Sequence, residues 1–188
     1  MEWLDFVEIV DREIAKGDLF SQFRLPLKNE QALTRHLGNG LRRPVASCYE
    51  LRTDSAELFS SVTYRAGDTR KDRLAYANAR DDRWVFFHDV FFAPDILISR
   101  TYNKTRKILP IEVKLISAKS PSQSFATAIG QLLVYAAQFG QTIAVLGVLR
   151  SAKWGKYRFR IEANGREETF YEGLAARGVR VIIREVGL

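Results

Sequence analysis

Two apolar, β-branched runs with charged residues at fixed positions constrain the fold of this chain more than any other feature. Asp95 stands at the start of the first run, and Glu112 and Lys114 lie inside the second. Because side chains alternate between the faces of a strand, Glu112 and Lys114 should share one face, with Val113 on the core side. Carboxylates and an ammonium within a sheet are costly to bury unless their charges are compensated. A divalent cation would do so, because Asp95, Glu112 and the Val113 carbonyl offer hard oxygen ligands.

The order and spacing of these residues resemble the motif of the PD-(D/E)XK nuclease superfamily. Pro94-Asp95 matches the first part of that motif, and Glu112-Val113-Lys114 matches the second. Between them, the polar segment from Tyr102 to Arg106 predicts a hairpin turn that joins two strands. The resemblance implies an α/β fold with a restriction-endonuclease-like core, in which helices flank a mixed central sheet.

The same resemblance implies metal-dependent hydrolysis of phosphodiester bonds. Asp95 and Glu112 would hold Mg²⁺ together with the Val113 carbonyl, and Mn²⁺ could substitute for it. Lys114 would position the attacking water or stabilise charge on the phosphate in the transition state. The expected function is therefore that of a DNA endonuclease in prokaryotic antiviral defence or in mobile-element biology.

A helix is predicted after the second strand, from about Ser122 to Phe139, and Gly140 should end it. Gln131 and Tyr135 lie one turn apart on this helix, so their polar ends should be neighbours. Such a Gln-X-X-X-Tyr pair resembles a further signature of the superfamily, whose residues contact the substrate backbone or brace the active-site lysine. Taken alone, the two residues are better explained as a surface or capping glutamine and a core tyrosine. Their position after Asp95 and Glu112-Val113-Lys114 favours the functional role.

The segment Leu27 to Leu37 predicts an amphipathic helix whose apolar stripe includes an acid. Glu30 lies one turn before Leu33 on that stripe. The resemblance implies an additional acid on an early helix, so Glu30 is a candidate metal ligand if the stripe faces the site. An acid that interacts with the helix dipole, with Asn29 as the cap, explains Glu30 equally well. Two rival acids rank lower: Glu13, on an earlier helix from Leu4 to Lys16, and Asp89.

The balance of charge suits a polyanionic partner. The 188 residues carry a formal net charge of +7, and the isoelectric point is about 9.7. DNA is favoured over RNA because most members of the superfamily cut DNA. We expect phosphate contacts from basic residues in turns that flank the predicted strands, namely Arg106, Lys107, Lys153 and Lys156.

The sequence predicts a cytoplasmic protein. Cys48 is the single cysteine, so it cannot form an internal disulfide. Glu2, Asp5 and Glu8 interrupt the first helix, and no signal peptide is expected there. The uncharged segment from Ala126 to Leu149 is interpreted as a helix followed by a buried strand, and no membrane contact is expected.

The remaining pattern predicts one domain over residues 1–188, with a core at about 27–149 and a strand-helix-strand extension at 157–186. A buried central strand is predicted at Thr142–Leu149. The other predicted elements are strands at Cys48–Thr53, Leu58–Tyr64, Tyr157–Glu162 and Val179–Glu185, an aromatic segment with strand-like spacing at Trp84–Phe92 that turns at His88-Asp89, and a helix at Glu167–Arg177.

Two other functions remain open. One is a catalytically silent, nucleic-acid-binding subunit of the same fold, and the other is a toxin that cuts RNA. The chain shows no helix-turn-helix or zinc-finger pattern that could read a nucleic-acid sequence. Cutting both strands with one active site per chain would require two chains or two events. This is compatible with a homodimer or with a partner protein that targets the enzyme.

Overall fold

The computed structural model describes residues 2–15, 30–47, 62–64, 85–87, 90–92, 94–102, 105–116, 121–149 and 165–186. In these ranges helices and strands form an α/β arrangement, as the sequence predicts. The helices are α1 (Trp3–Ala15), α2 (Glu30–Ser47), α3 (Pro121–Phe139) and α4 (Gly165–Ala175). The strands are β1 (Val62–Tyr64), β2 (Val85–Phe87), β3 (Val90–Phe92), β4 (Ile96–Tyr102), β5 (Thr105–Ile116), β6 (Thr142–Leu149) and β7 (Val179–Val186).

Five of the described strands form one mixed sheet in the order β1-β4-β5-β6-β7. The pairs β1/β4 and β4/β5 are antiparallel, whereas β5/β6 and β6/β7 are parallel. The predicted pairing of β4 with β5 is confirmed, with Tyr102 opposite Thr105. Thr105 and Arg106 of the predicted turn belong to β5, and residues 103–104 lie outside the described ranges. The prediction of a central strand at Thr142–Leu149 is also confirmed, since β6 has a strand on either side. A separate antiparallel hairpin is formed by β2 and β3.

Each face of the sheet is covered by its own pair of helices. On one face, α1 and α2 pack on a cluster that includes Phe6, Leu33 and Val113. On the other face, α3 and α4 pack on a cluster that includes Leu132 and Ile116. Successive residues of β5 thus alternate between the two cores, as the period of a strand requires. Val113 is buried in the core beneath α1 and α2, in agreement with its predicted core position. Glu112 and Lys114 lie on the opposite face of β5, which they share with Ile116.

Helix α2 is longer than the sequence predicted. The prediction ended at Leu37, but the helix continues to Ser47, because Leu41 prolongs the buried stripe of Leu33 and Leu37. All three leucines are fully buried, and burial of each stabilises the fold by roughly 1.5–3 kcal/mol. The glycines at 38 and 40 therefore did not end the helix.

Gly147 allows α2 to approach the sheet closely. A Cβ atom at this position of β6 would lie 2.6 Å from Leu33 Cδ2 and 3.1 Å from Val186 Cγ2. A glycine inside a strand often marks such a close approach. The contact between Leu33 and Gly147 therefore fixes how near the first turn of α2 comes to β5 and β6.

The predicted end of α3 at Phe139 is confirmed. Helix α4 spans Gly165–Ala175, so both of its ends lie two residues before those of the predicted helix Glu167–Arg177. It ends at Ala175 because residues 176–178 form a turn. Gly140 follows α3 with a φ of 80°, and Gly178 precedes β7 with a φ of 78°. The Thr142 N–H donates to the Gly178 carbonyl at 2.9 Å, which joins the two turns. The left-handed backbone favours glycine at both positions.

Several predictions concern residues outside the described ranges. They include the strands at Cys48–Thr53 and Tyr157–Glu162, and the His88-Asp89 turn between β2 and β3. The uncharged segment from Ala126 to Leu149 is helix α3 followed by strand β6, as predicted. Within the described ranges, no helix has the length and apolarity needed to cross a membrane.

Candidate functional site

The last residues of β5 have an edge that no described strand covers. Strand β4 pairs with β5 only as far as Ile111, which lies opposite Ile96. From Glu112 onwards, β5 pairs with β6 on its other side. Backbone groups of alternate residues point to the uncovered edge, and those of Val113 and Leu115 do so. We call residues 112–116 with this uncovered side the open edge of β5.

Two carboxylates accept hydrogen bonds from backbone N–H groups at the open edge, where no described strand pairs with β5. The Val113 N–H donates to Asp95 Oδ2 at 2.9 Å, and the Leu115 N–H donates to Glu30 Oε2 at 3.1 Å. Because the N–H and C=O of one strand residue point the same way, the Val113 carbonyl also faces this edge. Asp95 reaches it from the residue before β4, and Glu30 reaches it from the first turn of α2.

A buried acid and a lysine complete the cluster. Glu112 is 1% exposed, and its Oε1 lies 2.8 Å from Lys114 Nζ. Lys114 Nζ also lies 3.2 Å from Glu30 Oε1, so the ammonium stands between two carboxylates. The hydroxyl of Tyr135 donates to Glu112 Oε2 at 3.3 Å from a fully buried side chain. Both carboxylate oxygens of Glu112 therefore have a partner.

The surroundings of Lys114 keep its charge in place. Burial alone would lower the pKa of Lys114, because it disfavours the charged form. The carboxylates of Glu112, Asp95 and Glu30 and the hydrogen bond to Glu112 outweigh burial, and the pKa is raised. The lysine is therefore a stable cation at neutral pH, suited to electrostatic stabilisation.

Helices on opposite faces of the sheet position the cluster. Leu132 and Ala136 of α3 pack in one core, which directs the intervening Tyr135 onto β5. Leu33 of α2 packs in the other core, one turn from Glu30. The side chain of Glu30 then passes the open edge to meet Lys114. An interrupted strand pairing thus lets residues from both layers meet.

The structure brings together five of the residues singled out in the sequence: Asp95, Glu112, Lys114, Tyr135 and Glu30. Tyr135 was predicted to brace the lysine directly, and its hydroxyl donates to the carboxylate that pairs with Lys114. Gln131 lies one turn from Tyr135 on α3, and its Oε1 is buried with no hydrogen-bond partner in the described part of the chain. The predicted contact of Gln131 with a phosphate stays a prediction.

The rival acid and the predicted basic contacts lie elsewhere. Glu13 is on α1, whose main contacts are with α2 and β7. Lys107 is exposed on β5, opposite Arg100 of β4, and Arg106 is the preceding residue of the same strand. Asp89, Lys153 and Lys156 lie outside the described ranges.

The donor set suits a magnesium ion. Among the described residues, no group of three or more histidine, cysteine, aspartate or glutamate side chains could hold a metal. Mg²⁺, however, is usually held by one or two carboxylates, with water and phosphate oxygens completing its shell. Asp95, Glu112 and the Val113 carbonyl are two carboxylates and one carbonyl at the open edge, so these residues fit the ion.

Sequence reasoning missed Gly147 and the backbone N–H of Leu115, which fix Glu30 at the open edge. A glycine inside an otherwise β-branched strand was the one available signal for the first. Comparison of the chain with protein families, with curated proteins and with solved structures finds no match. The cluster is therefore interpreted from its own geometry.

Proposed function

We propose that this chain is a metal-dependent nuclease that hydrolyses phosphodiester bonds, with a core of the restriction-endonuclease type and DNA as the favoured substrate. One observation carries the proposal. Asp95, Glu112 and Lys114, whose spacing resembles a nuclease motif, lie at one open strand edge, together with Glu30 and Tyr135. The net charge of +7 supports a polyanionic partner.

The residues have distinct roles in this proposal. Asp95, Glu112 and the Val113 carbonyl would hold Mg²⁺, and Mn²⁺ could take its place. When bound, the ion polarises the phosphate and lowers the pKa of a coordinated water. Hydrolysis would add water across one P–O bond, and the resemblance suggests that the cut leaves a 5′-phosphate.

Lys114 would act on the charge that develops during hydrolysis. The attacked phosphate gains negative charge in the transition state, and a fixed cation beside it lowers the barrier. The carboxylates of Glu112 and Glu30 keep the ammonium protonated and in place. Lys114 would therefore stabilise the transition state or orient the water, and it would contribute little to general affinity for nucleic acid.

Tyr135 and Gln131 would support the reaction from α3. The Tyr135 hydroxyl orients Glu112 through a hydrogen bond, which limits the positions that this carboxylate can adopt. Gln131 would donate its Nε2 amide to a substrate phosphate, whereas its buried Oε1 can only accept and would require a donor such as a water molecule.

A nucleic-acid-binding domain without catalysis is the second candidate. The observation that favours it is the use of Asp95 and Glu30 as acceptors for the Val113 and Leu115 N–H groups. An unpaired buried backbone N–H costs about 1–3 kcal/mol, so strand stability alone could account for both acids. It does not account for burying Glu112 and Lys114, whose charges must be taken out of water.

The biological setting is proposed on the resemblance alone. We favour prokaryotic defence or mobile-element biology, a cytoplasmic location, and targeting through a homodimer or a partner protein. An RNA-cutting toxin would share the same chemistry and would differ in substrate.

A substrate and metal panel tests the proposed function. The purified chain is incubated with supercoiled plasmid, single-stranded DNA and tRNA, each with Mg²⁺, Mn²⁺ or EDTA. We expect cleavage of at least one DNA substrate that requires the divalent ion. Cleavage of tRNA alone would indicate the toxin. Salt-sensitive binding without cleavage in either metal would favour the silent subunit, and cleavage that persists in EDTA would contradict the metal-dependent mechanism.

A further inference from the structure

Glu30 differs from the other acids at the open edge in the way its two oxygens are used. Its Oε1 lies 3.2 Å from Lys114 Nζ, and its Oε2 accepts a hydrogen bond from the Leu115 N–H at 3.1 Å. The side chain is nevertheless 40% exposed. A partly exposed carboxylate can hold a cation with a smaller loss of hydration than a buried one. Glu30 is therefore a favourable counter-ion for Lys114.

Glu112 has the opposite surroundings. It is 1% exposed, its Oε1 contacts Lys114 at 2.8 Å, and its Oε2 accepts the hydrogen bond from Tyr135. If Glu112 held a divalent cation, the Lys114 ammonium would be repelled from it, because both are positive. An ammonium that is largely buried and has lost its counter-ion is strongly disfavoured. Lys114 therefore needs a second carboxylate within reach of its flexible side chain.

We propose that Glu30 is this second carboxylate. It holds the Lys114 ammonium at the open edge when Glu112 binds a divalent cation, and it is a positioning residue rather than a metal ligand. The inference rests on the metal-dependent function proposed above and assigns the role of one residue within it. It differs from the role that the superfamily resemblance implied for Glu30.

The first turn of α2 is fixed in a way that suits this role. Thr34 Oγ1 donates to the Glu30 carbonyl at 3.1 Å, and Leu33 packs on Gly147 of the sheet. The backbone of Glu30 is thus fixed beside the open edge, within reach of Lys114. Without the negative charge of Glu30, Lys114 would be held mainly by Glu112. The lysine would then compete with a divalent cation for the Glu112 carboxylate.

A double-mutant cycle on metal affinity tests the proposal. Mn²⁺ binding is measured by calorimetry, without nucleic acid, for the wild type, Glu30→Gln, Lys114→Met and the double variant. Glutamine retains one acceptor oxygen for the Leu115 N–H, and it removes the charge and the acceptor that face Lys114. We expect Glu30→Gln to weaken Mn²⁺ binding about tenfold in the wild-type background and less than about twofold when Lys114→Met is present. Equal weakening in both backgrounds would identify Glu30 as a ligand and overturn the proposal.

A second measurement needs no Lys114 variant. In protein labelled with ¹⁵N-lysine, the Lys114 ammonium signal is recorded at low temperature with saturating Mg²⁺. We expect the signal to persist in the wild type and in Glu8→Gln, and to be lost to fast exchange with water in Glu30→Gln. A signal that survives Glu30→Gln would overturn the proposed role.

Asp95→Asn separates this inference from the proposed function. If the wild type binds no Mn²⁺, or Asp95→Asn leaves the affinity unchanged, the metal centre itself is rejected, and the role of Glu30 with it. If Asp95→Asn weakens Mn²⁺ binding but Glu30→Gln acts independently of Lys114, only the role of Glu30 is rejected.

Discussion

Two clusters in the described part of the chain place a basic side chain against two carboxylates, and their surroundings differ. In the first, Lys114 lies between Glu112 and Glu30 at the open edge of β5. Glu112 is 1% exposed and also accepts a hydrogen bond from a buried tyrosine. In this cluster the buried Glu112–Lys114 ion pair lies beside backbone groups of β5 that no described strand pairs with.

The second cluster lies where α1 packs against β7. Arg180 contacts Asp11 at 3.1 Å and Glu8 at 3.7 Å. Glu8 is 58% exposed, and Asp11 and Arg180 are about a third exposed or less. Water reaches all three side chains, which weakens their attraction and lowers the cost of bringing them together.

The Lys114 cluster requires a functional explanation, whereas the Arg180 cluster does not. Exposed ion pairs contribute about 0–1 kcal/mol, and the Arg180 cluster is explained as a contact that holds α1 on the sheet. Burying the Lys114 cluster carries a desolvation cost that an apolar replacement would avoid. A reaction that uses the charges of Lys114 and Glu112 gives a reason for that cost.

The largest expected difference between the clusters concerns their acids. We expect Glu112→Gln to reduce Mg²⁺-dependent DNA cleavage by about a thousandfold or more, equivalent to about 4 kcal/mol, because a ligand charge is lost. Glu8→Gln should leave the rate within about twofold, since it alters an exposed pair. Initial rates on supercoiled plasmid measure both, and equal rates in the two variants would remove the distinction.

The two basic residues should differ next. Lys114→Met should lower the maximal cleavage rate about a hundredfold and leave DNA affinity nearly unchanged, because the ammonium acts in the transition state. It should also lower the free energy of unfolding by about 3–5 kcal/mol, since Glu112 would be left buried without its cation. Arg180→Met should change stability by about 0–1 kcal/mol and the rate by less than about twofold.

Single-turnover rates, DNA-binding isotherms and urea denaturation provide these values. Equal losses of rate and affinity in Lys114→Met would identify the lysine as an ordinary phosphate contact.

The close approach of α2 provides a smaller, indirect test. Gly147→Ala would force Leu33 and the helix outwards, because the new Cβ would lie 2.6 Å from Leu33 Cδ2. We expect a loss of about 1–3 kcal/mol in unfolding free energy and a cleavage rate about tenfold lower, since Glu30 moves with the helix. Gly130→Ala on α3 is the matched control, because its Cβ would meet nothing within 4 Å. A Gly147→Ala variant as stable and active as Gly130→Ala would contradict this account of α2.

The smallest effect is expected at Tyr135. Tyr135→Phe keeps the buried ring and removes the hydrogen bond to Glu112, at a cost of about 0.5–1.5 kcal/mol in stability. Cleavage should fall about three- to tenfold, because Glu112 is less well oriented. Tyr171→Phe on α4 is the control for loss of a hydroxyl. Thermal denaturation and plasmid cleavage are compared for both, and an unchanged Tyr135→Phe rate would separate the hydroxyl from the reaction.

The local part of this site could be predicted from the sequence. Alternation along a strand is enough to place Glu112 and Lys114 on one face, and helical spacing makes Tyr135 a neighbour of Gln131. The end of α3 was also predictable, because Gly140 adopts a left-handed backbone conformation. These features depend on residues close together in the chain.

The remaining contacts depend on packing between distant segments. Glu30 and Lys114 are 84 residues apart, and no periodicity shows that one carboxylate would contact both the lysine and the Leu115 N–H. The predicted helix stopped at Leu37, whereas α2 continues to Ser47 because Leu41 is also buried against the sheet. Tertiary contact with the sheet overrides such local preferences.

The metal-dependent site at the open edge of β5 is tested most directly by plasmid cleavage in Mg²⁺. The wild type, Asp95→Asn and Asp11→Asn are compared, with EDTA blanks and matched unfolding curves. Asparagine at position 95 retains an acceptor oxygen for the Val113 N–H, so the variant tests the carboxylate charge at the open edge. We expect Asp11→Asn to cleave at the wild-type rate and Asp95→Asn not to exceed the EDTA blank. A folded Asp95→Asn variant that cleaves as fast as the wild type would contradict the assignment of a metal-dependent nuclease site to the open edge of β5.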